Sequence, residues 1–115
     1  GSSGDYAKIG SSGNYAKIGS SGYSAQIGSS GDYAKIGSSG DSAQIGSSGK
    51  HSVICCAGCG SKVKAKIGSW ITLAEWAIQG KEYIPVCVKT VKVDGEIIKE
   101  DTWYTLKNGE FWEVE

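Results

Sequence analysis

Arginine and methionine are both absent from this sequence of 115 residues, and proline and histidine each occur once. All twelve basic residues are therefore lysines, and twelve acidic residues balance them to a formal net charge of zero. Arginine is the side chain that binds phosphate and guanine in a bidentate way, so nucleic acid is a poor candidate partner. A net charge of zero also predicts no long-range field that would attract anionic polymers or membranes.

Long apolar runs and a signal-peptide pattern are missing as well, so we expect no membrane partner. The lack of methionine indicates that Gly1 is not the native start, which leaves open whether further repeats precede it. Two of the four cysteines, Cys55 and Cys56, stand where earlier repeats carry glycine and serine, so we expect reduced, partly buried thiols and no structural disulfide, as is usual in cytoplasm. We therefore expect a cytoplasmic location.

The sequence is rich instead in a nine-residue phrase, Gly-Ser-Ser-Gly-Asp-Tyr-Ala-Lys-Ile, which occurs five times between Gly1 and Gly49 with small changes. Each copy places Ala and Ile two residues apart, and such positions share one face of an extended chain. Gly-Ser-Ser-Gly is expected to form the corners, because glycine tolerates positive φ and serine bonds to nearby backbone. A flexible Gly/Ser linker would not keep this register. The phrase predicts a parallel β-solenoid whose inward pairs are Ala7/Ile9, Ala16/Ile18, Ala25/Ile27, Ala34/Ile36 and Ala43/Ile45.

Nine residues are too few to close a coil around a core, so we expect two repeats, about eighteen residues, in each turn. At this period the outward residues form two faces. The first stacks Tyr6, Ser24 and Ser42 beside Lys8, Gln26 and Gln44. The second stacks aromatic rings beside amines and supplies the candidate protein-binding residues, which are Tyr15, Lys17, Tyr33, Lys35 and His51. The alternative is that these rings only stabilise the sheet by cross-strand packing.

Metal and catalytic chemistry find little support in the sequence. Asp5, Asp32 and Asp41 are too irregular for a calcium array, because calcium needs six to eight oxygen ligands. Cysteines near His51 have zinc-ligand spacing in part, but no second Cys-x-x-Cys or histidine pair completes a site. The same histidine could serve a cysteine nucleophile, yet no oxyanion motif accompanies it. We predict no enzyme activity, no cofactor and no metal, and leave open whether the four cysteines, Cys55, Cys56, Cys59 and Cys87, bind metal.

The array decays after His51, and the segment 62–67 alternates as a half-buried strand with Val63, Ala65 and Ile67 inward. We expect Gly68 to close the last coil. The predicted division is a β-solenoid over residues 1–68 and an antiparallel β cap over residues 69–115, which holds all four tryptophans.

Within the cap, residues 70–76 are predicted to form a strand, and a helix over residues 70–79 is left open as the alternative because Thr72 and Glu75 have capping-box spacing. A hairpin loop over 77–81 would follow. Asp94-Gly95 and Asn108-Gly109 are tight-turn signals. The pairing expected around Asn108-Gly109 puts Leu106 opposite Phe111 and Thr105 opposite Trp112.

The repeat phrase, together with the segments 68–76, 93–96, 101–104 and 108–111, resembles a family of uncharacterised repeat proteins from phages and prophages of gut Firmicutes. The resemblance spans essentially the whole chain, and the C-terminal segments are its specific part. The family transfers no activity and no site residue. It implies a small phage-encoded accessory protein in the host cytoplasm.

We therefore expect a non-enzymatic, protein-binding inhibitor of a host anti-phage defence complex, such as a CRISPR effector. One alternative is a structural or adhesive β-roll of a virion or surface fibre. Another is a protein that sequesters a small nucleotide signal. An open first coil, near residues 5–9, also predicts a homodimer or higher oligomer built through the N-terminal coils.

Overall fold

The computed structural model describes residues 4–114, and every regular element in that range is a β-strand. Seven short strands of three or four residues precede four longer strands. They are β1 (Lys8–Ser11), β2 (Lys17–Ser20), β3 (Gln26–Ser29), β4 (Lys35–Ser38), β5 (Gln44–Ser47), β6 (Val53–Cys56), β7 (Lys62–Lys64), β8 (Trp70–Gln79), β9 (Glu82–Lys92), β10 (Trp103–Lys107) and β11 (Glu110–Val114).

The strands form two sheets that wind as a parallel β-solenoid of about four turns. The odd sheet has the order β1-β3-β5-β7-β10-β11, and the even sheet has the order β2-β4-β6-β8-β9. Within the repeats, neighbouring strands pair in parallel, with Ile9 beside Ile27 and Ile18 beside Ile36. This offset of eighteen residues confirms the predicted all-β solenoid with two repeats in each coil.

The interior is filled by the repeated Ala and Ile side chains, as the pattern predicted. The buried apolar residues of the repeats include Ala25, Ile27, Ala34, Ile36, Ala43 and Ile45. The first serine of Gly-Ser-Ser-Gly also points inward, because the first five strands extend through Lys-Ile-Gly-Ser or Gln-Ile-Gly-Ser. The hydroxyl oxygens of Ser20, Ser29 and Ser38 are buried without a hydrogen-bond partner among the described residues. An unpaired buried hydroxyl costs free energy, so these serines contribute volume to the core and no hydrogen bond.

The left-handed residue of each corner is the second residue after Gly-Ser-Ser-Gly, and in most copies it follows Asp or Asn. Tyr15, Tyr33 and His51 have φ values of 61°, 60° and 56°, whereas no described glycine of the five repeats has a positive φ. The expectation that glycine supplies the positive φ is therefore wrong. The preceding side chain supports this geometry, since the Asn14 Oδ1 accepts a hydrogen bond of 2.9 Å from the backbone N–H of Asp32. These bonds help to offset the roughly 1–2 kcal/mol that a left-handed conformation costs a residue with a side chain.

From the third copy onward, the second glycine of Gly-Ser-Ser-Gly is needed for space, whereas a Cβ added to Gly13 would meet nothing within 4 Å. A Cβ added to Gly40 would lie 2.0 Å from the carbonyl oxygen of Gly22, and one added to Gly49 would lie 1.9 Å from that of Gly31. Successive coils therefore approach too closely at the corner for any side chain. The first glycine differs, because a Cβ added to Gly37 in the middle of β4 would meet nothing within 4 Å.

The last coil departs from the predicted alternation. Val63 and Ala65 are buried as expected, but Ile67 is 50% exposed, so its inward placement is wrong. The reason is that β7 ends at Lys64 and the chain turns, with Gly68 at a φ of 93°. Outside the core, the Ile67 side chain packs against the backbone of Gly95.

The C-terminal strands extend the two existing sheets. Strand β8 pairs in parallel with β6 and antiparallel with β9, which confirms a strand over residues 70–79 and not a helix. The strand runs to Gln79, so the predicted hairpin loop is too long, and Gly80 and Lys81 alone form the turn. Parallel pairing thus continues past residue 68, and the predicted division of the chain there stays a prediction.

Strands β10 and β11 form the predicted hairpin at the far end of the odd sheet. Leu106 pairs with Phe111 and Thr105 with Trp112, as expected from the turn signal. The Asn108-Gly109 turn is tied to the even sheet, because the Glu75 carboxylate accepts hydrogen bonds from the backbone N–H groups of both turn residues, at 2.6 and 2.9 Å. This carboxylate links the ends of the two sheets.

The two classes of glycine predict opposite effects of the same substitution. Gly40→Ala places a methyl group against the Gly22 carbonyl and should destabilise the fold by about 1–3 kcal/mol or more, as in an overpacked core. Gly37→Ala is the matched control, since it adds the same group in open space and removes a mid-strand glycine, which should stabilise by about 0.5–1 kcal/mol. Urea unfolding measures both, and equal effects of the two variants would contradict the assignment.

Candidate protein-binding surface

The predicted aromatic stack is present along one corner of the solenoid. The rings of Tyr15 and Tyr33 lie parallel, with an interplanar angle of 8° and centroids 5.2 Å apart. The next coil adds His51, whose ring lies 5.6 Å from that of Tyr33 at 25°. The stack arises because each left-handed corner directs its side chain into solvent at the same place in every coil. Tyr15 is 70% exposed and Tyr33 48%, so the rings present much of their area to a partner.

A row of amines runs beside the rings on the outer face of the even sheet. Lys17 and Lys35 are neighbours in the register of β2 and β4, and both are exposed. Neither has a carboxylate within ion-pair distance among the described residues. Like charges directly opposite one another destabilise a sheet, so these amines gain from a carboxylate that a partner brings. All five predicted binding residues therefore lie on one side of the molecule.

Two further residues extend this surface, although neither is among the five predicted binding residues. Val53 pairs with Lys35 in the register of the even sheet, and Trp70 pairs with Val53. Both are 46% exposed, although both are apolar. The eighteen-residue period identifies Val53, but Trp70 lies seventeen residues further on, which a strict period misses. We call these seven residues the ladder surface: Tyr15, Lys17, Tyr33, Lys35, His51, Val53 and Trp70.

The opposite corner carries a weaker aromatic pair. Tyr6 meets the ring of Tyr23 edge to face, with centroids 5.8 Å apart, and the later coils place Ser24 and Ser42 at the left-handed position. The predicted first face is thus present, but its aromatic contact is confined to the first coils. The tyrosines of this corner are as exposed as those of the ladder surface, at 68% and 49%.

The cysteines point in different directions. Cys55 and Cys56 are consecutive in β6, so the first thiol faces solvent and the second is buried in the core. Cys59 contacts the hydroxyl of Tyr83, and Cys87 is half-buried in β9. Among residues 4–114 no three metal-ligating side chains of histidine, cysteine, aspartate or glutamate are close enough to hold an ion. The structure therefore does not bring the four thiols and His51 into one cluster.

The surroundings of Cys56, Tyr83 and Asp94 shift the pKa of each side chain. Burial, together with the neighbouring Cys55, raises the pKa of Cys56 to about 12. The hydrogen bond with Cys59 raises the pKa of Tyr83. Hydrogen bonds from the backbone N–H groups of Glu96 and Ile98 lower the pKa of the exposed Asp94 carboxyl, which organises the loop after β9. None of these groups lies on the ladder surface, whose chemistry is stacking, hydrogen bonding and positive charge.

Comparison of the chain with protein-family models, with curated proteins and with solved structures finds no match. Residues 4–114 contain no helix long and apolar enough to cross a membrane.

The two adjacent cysteines predict a large difference in reactivity. At pH 8 a thiol with a pKa of about 12 is ionised in only about one molecule in ten thousand, and Cys56 is also buried. We expect iodoacetamide to modify the exposed Cys55 in the native protein and to leave Cys56 unmodified until urea is added. Peptide mass spectrometry locates the label. Similar labelling rates at both residues in the native protein would show that β6 opens readily.

Proposed function

We propose that this protein is a non-enzymatic protein-binding protein that contacts its partner through the ladder surface. The observation that carries the proposal is the exposed stack of Tyr15, Tyr33 and His51 beside unpaired Lys17 and Lys35. Tyrosine and tryptophan are enriched at interface centres, where they bury a large rigid area with few rotatable bonds.

The solenoid lowers the cost of such an interaction. Each tyrosine is held by a ring neighbour and by a hydrogen-bonded corner, so little conformational freedom is left to lose on binding. The unpaired amines favour a partner that presents carboxylates opposite Lys17 and Lys35. A rigid aromatic strip flanked by positive charge therefore suits an acidic protein surface with apolar contacts.

The proposed partner is a component of a host anti-phage defence complex, for example a CRISPR effector. This proposal is supported by the resemblance to phage and prophage repeat proteins. Affinity purification from defence-bearing host lysate, followed by mass spectrometry, tests it. Recovery of a defence protein would support the proposal, whereas recovery of virion components would favour a structural role.

Removing the ladder rings should weaken the interaction with a purified partner. Tyr15→Ala with Tyr33→Ala is expected to cost roughly 2 kcal/mol or more for each ring, because interface tyrosines are frequent hot spots. The matched control is Tyr6→Ala with Tyr23→Ala, which removes two equally exposed tyrosines from the opposite corner. Calorimetry compares affinities, and thermal unfolding shows that both variants are folded. Equal losses in the two double variants would contradict a binding role for the ladder surface.

A structural or adhesive β-roll is the second candidate. In the part of the chain that the structure describes, β1 and β2 each pair with a strand on one side only. An edge with open backbone donors and acceptors can accept another strand. Stacking of a second copy on these coils would build a dimer or longer assembly.

Light scattering at increasing concentration measures this assembly. We expect the mass to rise above that of one chain as the concentration increases. Lys8→Glu and Lys17→Glu should alter the concentration at which the protein assembles, because both residues lie on the edge strands. A monomer at every concentration would contradict assembly through the N-terminal coils.

A further inference from the structure

A groove runs across the outer face of the odd sheet, opposite the even sheet that carries most of the ladder surface. Its volume is about 920 Å³, and its floor is made of the outward positions of three successive strands, Gly10, Gly28 and Gly46. We call it the glycine groove. It follows the solenoid axis, so a bound chain would cross one strand every 4.7–4.9 Å or so.

The fold does not require glycine on this floor. A Cβ added to Gly10 or Gly28 would meet nothing within 4 Å, and neither residue has a positive φ. Glycine in a strand interior is less favourable than alanine, because it loses more conformational freedom on folding. What these glycines provide is a flat floor, on which the backbone of the sheet is open to a ligand.

One end of the groove is closed by an aromatic side chain. Trp103 of β10 reaches over β7, where the amines of Lys62 and Lys64 lie 4.9 and 5.0 Å from its ring centroid. A Cβ on Gly46 would lie 3.7 Å from the indole Cη2. The indole is thus held by two lysine side chains at the point where the floor ends.

The sides of the groove are polar and regular. Gln26 and Gln44 line one side, and their amides both donate and accept hydrogen bonds. Three serines line the other side, which are Ser12, Ser30 and Ser48. Lys8 and Lys64 stand near opposite ends, and neither has a carboxylate within ion-pair distance among the described residues. Asp101 also lines the groove, and its carboxylate is neutralised by the Lys66 amine at 2.6 Å.

We infer that the glycine groove binds a linear oligosaccharide that carries carboxylates. A sugar ring has a flat face of C–H groups that fits a floor without side chains and a Trp103 edge. Its rim of hydroxyls matches amides and serine hydroxyls, which donate and accept. The amine of Lys8 and the amine of Lys64 beside the Trp103 ring complement a uronic acid carboxylate, because neither has a carboxylate partner among the described residues.

Other polymers fit this groove less well. An extended peptide cannot add to the middle of a sheet, because the backbone groups of β3 and β5 already pair with their neighbours. The glycine floor also offers no side chain against which a peptide side chain could pack. Single-stranded nucleic acid binds by stacking bases on exposed aromatic faces, whereas two amines already occupy the surroundings of the Trp103 ring.

The test uses the full chain labelled with ¹⁵N and two hexasaccharide probes. One is the hexasaccharide of alternating glucuronate and N-acetylglucosamine, and the other is neutral chitohexaose. We expect the acidic probe to shift the amide signals of Gly10, Gly28 and Gly46 and the indole signal of Trp103 in a saturable way. The neutral probe should bind at least tenfold more weakly.

Two pairs of variants make the result specific. Gly28→Thr raises the floor and should weaken binding at least tenfold, while Gly37→Thr makes the same change in open space on the even sheet and should not affect it. Lys8→Gln should weaken binding of the acidic probe, whereas Lys89→Gln, which changes an exposed lysine of β9 on the even sheet, should not. Neither threonine variant should lower the melting temperature.

Three outcomes would overturn the inference. The first is the absence of saturable shifts with either probe in the parent chain. The second is equal weakening by Gly28→Thr and Gly37→Thr, which would show that binding does not occur on the floor. The third is a set of shifts that maps to Tyr15 and Tyr33 and spares Trp103. Since the glycine groove and the ladder surface are separate, none of these results decides the proposed protein-binding function.

Discussion

The close stacking of coils in register is the constraint on which the rest of this structure depends. A Cβ at the corner glycines Gly22 or Gly58 would lie about 2 Å from a carbonyl oxygen of the preceding coil, so the spacing leaves no room for adjustment. The Asp41 carboxylate accepts a hydrogen bond from the backbone N–H of Cys59, which lies eighteen residues further along the chain. This bond fixes the same spacing between coils. A single repeat buries too little apolar area to offset the entropy of ordering its backbone, so stability comes from these contacts between coils.

Stacking in register also decides what the surface looks like, because it places each residue beside its own equivalent. Tyrosine lies beside tyrosine, which brings two ring centroids within 5.2 Å of each other. Lysine lies beside lysine, which leaves the positive charges of Lys17 and Lys35 without a neutralising partner among the described residues. Glycine falls on glycine and produces a groove on the odd sheet. The two proposed binding sites thus arise from the same repeated sequence, which forms the ladder surface on one side of the coil and the glycine groove on the other. They differ in chemistry because the corner presents rings and the strand centre presents bare backbone.

The C-terminal strands complete the molecule by continuing both sheets with larger side chains. Trp103 ends the glycine groove, and Trp70 extends the ladder surface. Glu75 bonds the Asn108-Gly109 turn and so joins the ends of the two sheets. On the exposed edge of the even sheet, Pro85 lies beside an irregularity in the pairing of β8 with β9. A proline and a bulge at an edge hinder the addition of another strand, so this end is better protected than the first coil.

The sequence by itself determined the solenoid, its eighteen-residue coil, the inward Ala and Ile, and the pairing around Asn108-Gly109, because each depends on local periodicity or on a turn that short-range sterics favour. The five predicted binding residues also follow from the period alone. Tertiary structure decided the rest. The role of glycine at the corner depends on the distance between coils. The exposure of Ile67 depends on where β7 ends. Trp70 and Trp103 contact strands that are distant in sequence. Such contacts have no period, so only the folded chain brings them together.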